Sequence, residues 1–177
     1  MEQLVLLDLV TMGRTQESSA RLQVSRAEKA MQKLHRIQEE LNAIYENPSQ
    51  RPQILSPQTC DELLRPFFEH LDHEEFWVLV LDIKNRVKKI VKLYQGTVSS
   101  SNIRIAEIFR QAIIENSPTI VIAHNHPSGD PTPSPEDIVL TRAIIEAGKF
   151  LDIKVLDHLI IGKNRYLSFK QEKLADI

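Results

Sequence analysis

The stretch Ile120-Val121-Ile122-Ala123-His124-Asn125-His126-Pro127-Ser128-Gly129-Asp130-Pro131-Thr132-Pro133-Ser134-Pro135-Glu136-Asp137 decides how the chain is read. An apolar run ends in two histidines, a proline-rich loop follows, and Ser134-Pro135-Glu136-Asp137 opens a helix. Such a run is a buried strand, and Pro127 cannot continue a ladder, so the strand leaves the histidines at its mouth. Strand side chains alternate with a period of two. His124 and His126 therefore point to one face, where their imidazoles can converge on one ion. Asp137 falls in the first turn of the next helix, from which a carboxylate can swing back as a third ligand. Two nitrogens and one oxygen suit Zn²⁺, and three protein ligands leave the fourth tetrahedral position for water. Each piece also has a structural explanation. Ser134 to Asp137 is a capping box with Ser134 as N-cap and Pro135 at the first helical position. Paired histidines can be satisfied by backbone, and Asp130 is a competing oxygen ligand whose Gly-Asp-Pro setting also makes an ordinary turn.

Working outward, Phe76 to Asp82 is a near-continuous apolar run, the mark of a central strand, and Arg86 to Tyr94 alternates as an antiparallel return strand with lysines on its wetter face. Ser56-Pro57 opens a helix through about Leu71. Gly96 and the serine run 99–101 break the chain and cap a helix with Ile105, Ile108, Phe109, Ala112 and Ile113 on its inner face. Beyond the central loop, Leu140, Ala143, Ile144 and Ala147 form the inner stripe of a helix ending near Gly148. Ile153 to Ile161 and Tyr166 to Phe169 are two last strands joined by a turn at Gly162-Lys163-Asn164. The order helix-strand-strand-helix-strand-helix-strand-strand predicts one α/β sandwich with a mixed sheet over residues 54–177. Residues 1–50 are different, with a single glycine, Gly13, and no proline before Pro48. They predict an N-terminal helical arm, helical from 16 to 45, with Ala30, Leu34, Ile37, Leu41 and Ile44 as a narrow stripe. That stripe packs on the main domain, on a second copy as a homodimer, or on a partner helix. Asn47 to Pro52 reads as a linker.

Composition excludes several classes. Of 177 residues, 42% are hydrophobic and 26% charged, as in an ordinary soluble domain, and a net charge of -2 gives no electrostatic reason to expect nucleic acid or an anionic membrane. The single cysteine, Cys60, rules out an internal disulfide and, lacking a histidine or second cysteine beside it, is structural. The N-terminus has no basic flank, and no apolar run approaches the ~18 residues of a membrane span, so the expected location is cytoplasmic. His35, His70 and His73 are expected on the surface. His158, beside Asp157, either holds a ligand in its tautomer or is a satisfied core histidine.

His124-x-His126-x7-Ser134-x2-Asp137 resembles the signature of the JAMM (MPN-plus) metalloproteases. The longer string from His124 to Ser134, with Asp157-His158-Leu159-Ile160-Ile161-Gly162 downstream, is similar to the RadC branch. The resemblance covers about Ile54 to the C-terminus. It implies the MPN fold, a cytidine-deaminase-like three-layer α/β sandwich with a mixed sheet. It also implies a zinc-dependent, metallopeptidase-like hydrolase with His124, His126 and Asp137 as metal ligands. A general-base glutamate and Ser134 as donor to the oxyanion complete the implied site. Members similar to this chain carry Arg-Glu-x-Phe where it has His73-Glu74-Glu75-Phe76, which aligns Glu74 with the base. Alternation puts Glu74 and Glu75 on opposite faces, so one alone can look at the metal, and the other would be a solvated charge at a strand start. The implied substrate is an amide or isopeptide bond in a protein or peptide. The alternative is a non-catalytic or nuclease-like binding module associated with DNA repair. Longer RadC-like proteins begin with helix-hairpin-helix motifs that bind the DNA backbone, and residues 1–50 offer no Gly-x-Gly hairpin of that kind.

Overall fold

The structure, a computed structural model, describes residues 50–96 and 103–177. The expected arm with its 16–45 helix, and the serine run 99–101, fall outside the described residues.

Ser56 caps the first helix, Pro57–Phe68 (α1), accepting the Thr59 N–H while Thr59 Oγ1 accepts the Ser56 N–H. Strand β1, Glu75–Leu81, is buried on nearly every residue and pairs antiparallel with β2, Val87–Gln95. Helix α2, Ile105–Ile114, leads to β3, Thr119–Asn125, every residue of which is buried. Helix α3, Pro135–Leu151, is followed by β4, Lys154–Gly162, and β5, Arg165–Ser168. The sheet order is β2-β1-β3-β4-β5, with β3 and β4 parallel and every other pair antiparallel. This is the expected mixed-sheet α/β sandwich, and the element order is the one read from the sequence.

Alternation along the strands sorts the core into two layers. Phe76, Val78 and Val80 of β1 and Ile120 and Ile122 of β3 meet Ile108, Phe109 and Ala112 of α2 and Leu140 and Ile144 of α3. On the other face, Trp77 lies against Phe67 and Phe68 of α1, and Cys60, on the buried side of the same helix, is completely sealed. Burial, reinforced by Asp157 and Asp61, pushes the Cys60 thiol up to about 12, so it stays neutral. Each fully buried Ile or Leu of these strands contributes about 1.5–3 kcal/mol by leaving water.

The helices depart from expectation in three ways. First, α2 is capped by the backbone of Arg104, not by a serine, and Ile113 at its end is 57% exposed. Second, α3 does not stop near Gly148; it continues to Leu151 and closes at Asp152, which takes a left-handed φ of 55°. Gly148 serves a close approach instead, since a Cβ there would lie 2.5 Å from the Ile153 carbonyl. Third, the buried stripe of α3 is Leu140, Thr141, Ile144, Ile145 and Gly148, with Ala143 exposed. The stripe is rotated because its phase is set by Asp137, which must face inward, and Thr141 lies one turn beyond it.

Candidate metal centre

The parallel pair β3 and β4 ends beside the N-terminus of α3, and β1 begins next to the end of β3. His124 is the penultimate residue of β3 and His126 follows the strand, still tied to it because its N–H donates to the Ile161 carbonyl. Pro127 then turns the chain away. Asp137 sits in the first turn of α3, fixed by the capping box with Ser134. The ligand atoms of His124, His126 and Asp137 all lie within 4.8 Å of one another. His124 Nε2 is 3.1 Å from His126 Nε2 and 3.4 Å from Asp137 Oδ1, and His126 Nε2 is 3.7 Å from Asp137 Oδ2.

Bonds on the far side of each group aim it. His126 Nδ1 lies 2.7 Å from the Asp130 carbonyl, which only accepts, so Nδ1 carries a proton and the neutral ring leaves the Nε2 lone pair facing inward. Asp137 Oδ2 accepts the Ser134 N–H at 2.8 Å and the Ser134 O–H at 2.7 Å, leaving Oδ1 turned toward His124. His124 is fully buried, and its Nδ1 lies 2.8 Å from His158 Nε2. Burial pushes the His124 imidazolium down to about 4, so the ring is neutral at pH 7. His126 is held above its ordinary value by its hydrogen bond to Asp137, with the charge of Glu74 adding to the effect. Burial alone would raise Asp137, but the hydrogen bond to His126, the His124 ring and both Ser134 donors outweigh it and hold the carboxyl well below the carboxylate range. Two imidazole lone pairs and a carboxylate thus converge where only a proton on His126 or a cation can reconcile them. That donor set fits a divalent transition metal.

Glu74, half-buried, precedes β1 on the face of Phe76, whose ring stacks on His124 with centroids 6.1 Å apart. Glu75 points the other way and is not a solvated charge. It is buried, accepts from Trp77 Nε1 at 2.8 Å, meets His73 Nε2 at 3.0 Å and is ion-paired with Lys92. Burial would raise Glu75, yet Lys92, Trp77 and His73 together hold it below the ordinary value. Asn125, between the two histidines but on the opposite face, reaches across to this segment. Its Oδ1 accepts the Glu75 N–H at 2.8 Å and its Nδ2 donates to the His73 carbonyl at 2.9 Å. One buried amide therefore clamps both peptide groups that flank Glu74.

The sequence model of the RadC-like JAB domain matches residues 54–174. The chain belongs to the RadC-like JAB domain family. It is 52% identical over 128 residues to a protein of Roseiflexus castenholzii, covering 72% of this chain and 55% of that one. A protein of Chloroflexus aurantiacus is 48% identical over 122 residues, 69% of this chain and 53% of its own. One of Desulforudis audaxviator is 44% identical over 124 residues, 70% and 54% respectively. All three carry the name UPF0758 protein, and the chain spans about half the length of the curated relatives it matches.

Within this RadC-like JAB domain, the residues singled out from sequence separate cleanly. His124, His126, Asp137 and Ser134 come together, with Glu74 beside them. Asp130 does not offer its carboxylate to the centre: that group holds the Thr132 N–H and Oγ1 and Arg165, and only its carbonyl serves the site. Of Asp157 and His158, only His158 reaches a ligand. Asp157 turns to the opposite face and holds Ser168 Oγ and the Lys170 N–H. His73 is not a free surface residue, being held between Asp72 and Glu75. Asn125 and Thr141 were missed as functional residues. The signals were available: Asn125 alternates against its histidine neighbours, and Thr141 lies four residues after Asp137 on the same helix face. A groove of about 400 Å³ leads from His126 between the end of α1 and the β4–β5 turn, lined in part by Arg65, Leu71, Lys163 and Asn164. Among the described residues no helix is long and apolar enough to cross a membrane.

Proposed function

We propose that this RadC-like JAB domain is a zinc-dependent hydrolase that cleaves an amide or isopeptide bond in a protein or peptide. The family's members are typically metal-dependent hydrolases. The observation that carries the proposal is the convergence of His124, His126 and Asp137 with Glu74 on the same face of the sheet. His124, His126 and Asp137 would hold the zinc, which when bound would supply an acidified water and a Lewis acid for a carbonyl. Glu74 would serve as the base, taking a proton from the attacking water and giving it to the leaving amine. Ser134 donates its hydroxyl to the carbonyl oxygen as charge develops there. That hydroxyl otherwise donates to Asp137 Oδ2, but the Ser134 N–H also holds Oδ2, so the helix cap survives when the hydroxyl turns. The groove beside His126 accommodates the chain that flanks the scissile bond.

The test pairs metal content with turnover. Wild-type protein purified without added zinc, Glu74→Gln and Asp137→Asn are assayed by mass spectrometry and against a panel of peptide and isopeptide substrates. Glu74→Gln keeps about one zinc per chain, as an open three-ligand site requires, and loses roughly 10²–10⁴-fold in rate. Asp137→Asn loses the metal. Turnover that survives in Glu74→Gln rejects Glu74 as the base, and a wild type that refuses added zinc rejects the metal chemistry.

A further inference from the structure

We propose that Thr141 and His158 form a one-way hydrogen-bond relay that fixes the tautomer of His124, anchored on the backbone carbonyl of Asp137. The inference rests on the metal reading of the site and not on its hydrolytic chemistry. Thr141 Oγ1 lies 2.6 Å from the Asp137 carbonyl oxygen and 2.6 Å from His158 Nδ1, and His158 Nε2 lies 2.8 Å from His124 Nδ1. All three side chains are sealed from solvent.

The direction follows from where protons can be. A carbonyl oxygen has none, so an oxygen–oxygen contact of 2.6 Å requires the Thr141 hydroxyl proton to lie in it. That proton is then committed, and the 2.6 Å contact with His158 Nδ1 needs a proton from the ring. His158 is fully buried, and its ring nitrogens meet only the Thr141 hydroxyl and the His124 ring, with no carboxylate to balance a second proton, so the ring has only this one N–H. Its Nε2 is bare and accepts from His124 Nδ1. With the His124 proton held on Nδ1, the neutral ring has its lone pair on Nε2, the atom that faces His126 and Asp137. The His158 ring lies against Phe169 at 4.6 Å and the edge of Phe76 at 5.9 Å, and a flipped ring would present carbons to both Thr141 and His124 and lose both hydrogen bonds.

Asp137 thereby acts at both ends. Its carboxylate faces the centre, and its carbonyl, through Thr141 and His158, turns the opposite imidazole into a ligand. Without the hydroxyl, His124 is free to carry its proton on Nε2, where it cannot bind a cation. Thr141 and His158 are positioning residues: neither touches the ion or a substrate.

The experiment uses zinc titrations and long-range ¹H–¹⁵N imidazole spectra of wild type, Thr141→Val and Thr141→Ser. In the metal-free wild type, His124 and His158 are both expected to be protonated at Nδ1. Thr141→Val keeps the shape but removes the proton acceptor; His124 then shows mixed tautomers, and zinc affinity falls roughly 10–100-fold, the usual effect of losing a partner behind a ligand. Thr141→Ser restores both. His124 protonated at Nε2 in the wild type overturns the relay, and so does a folded Thr141→Val protein with wild-type tautomers and affinity. If Thr141→Val fails to fold, the wild-type tautomers decide. A wild type with the stated tautomers that binds no zinc supports the relay and removes the metal reading.

Discussion

Asn125 sits between two histidines in sequence and works on the other face of the sheet. Replacing it with Ala strands the buried Glu75 N–H and the His73 carbonyl, at a cost of about 1–3 kcal/mol. Urea unfolding should show that loss, while zinc affinity changes little and turnover drops further than stability explains, because Glu74 is no longer held. His124 gives a pH signature. Unfolded, an imidazole titrates near 6.5, whereas burial in the fold holds His124 to about 4. Between those values the unfolded chain binds the extra proton, so this residue makes metal-free stability rise with pH. His158, depressed by burial, acts in the same direction. Asp61 and Asp157, raised by burial, oppose it from their ordinary value of 3.8 upward. His126, raised, contributes stability that is full below 6.5 and fades only as pH climbs through its folded value. Denaturation midpoints from pH 4 to 6.5 should therefore rise more steeply in the wild type than in His124→Asn; equal slopes would contradict a neutral buried His124. At this scale the convergence of His124, His126 and Asp137 was legible because strand period and helix phase act locally. For Asn125 and Thr141 the sequence carries the face but not the partner, since Asn125 bonds to Glu75, fifty residues away, and Thr141 to a histidine of another strand.

Among the elements, the loop from His126 to Pro131 depends on its seat at the end of β4. The Lys163 N–H donates to the Gly129 carbonyl at 3.0 Å, and a Cβ on Gly162 would come within 2.5 Å of that carbonyl oxygen. Gly162→Ala should lift the loop, costing about 1–3 kcal/mol of overpacking. Because the Asp130 carbonyl that orients His126 rides on this loop, zinc affinity should fall with stability. A thermal melt and a zinc titration on one sample check the coupling; an unchanged affinity would mean that the loop does not orient His126. The glycine was visible in sequence as part of a turn, but its contact was not, since turn propensity carries no information about which loop approaches. The phase of α3 escaped for a related reason. A buried threonine reads as polar, so apolarity alone selects Ala143 for the inner stripe, although the capping box fixes which side Asp137 faces.

For the whole molecule, the sheet order gathers the site. Parallel β3 and β4 bring their C-terminal ends to the start of α3, the place where open α/β sheets bind ligands. Antiparallel β1 begins at the same edge and delivers Glu74. Three elements therefore meet at the candidate metal centre, and on the proposed reading zinc should stabilise the fold as a unit. At a thousand times the Kd it adds about 4 kcal/mol. Calorimetry should show a higher Tm with zinc, reversed by a chelator and absent in Asp137→Asn. Element order and sheet type were legible because the apolar runs are long and the breakers clear. Strand order was not, since nothing in a linear pattern says that β1 inserts between β2 and β3.

The Asp137 carboxylate is shared between a helix cap and a cation site, one oxygen serving Ser134 and the other facing His124. If the proposed ion binds there, fraying of the first turn of α3 and departure of the ion would be a single event seen from two sides. Zinc should behave as an end-stop on the helix, slowing hydrogen exchange at the amides of Asp137 and Ile138, which bond to Ser134 Oγ at 3.1 Å and to its carbonyl at 3.3 Å.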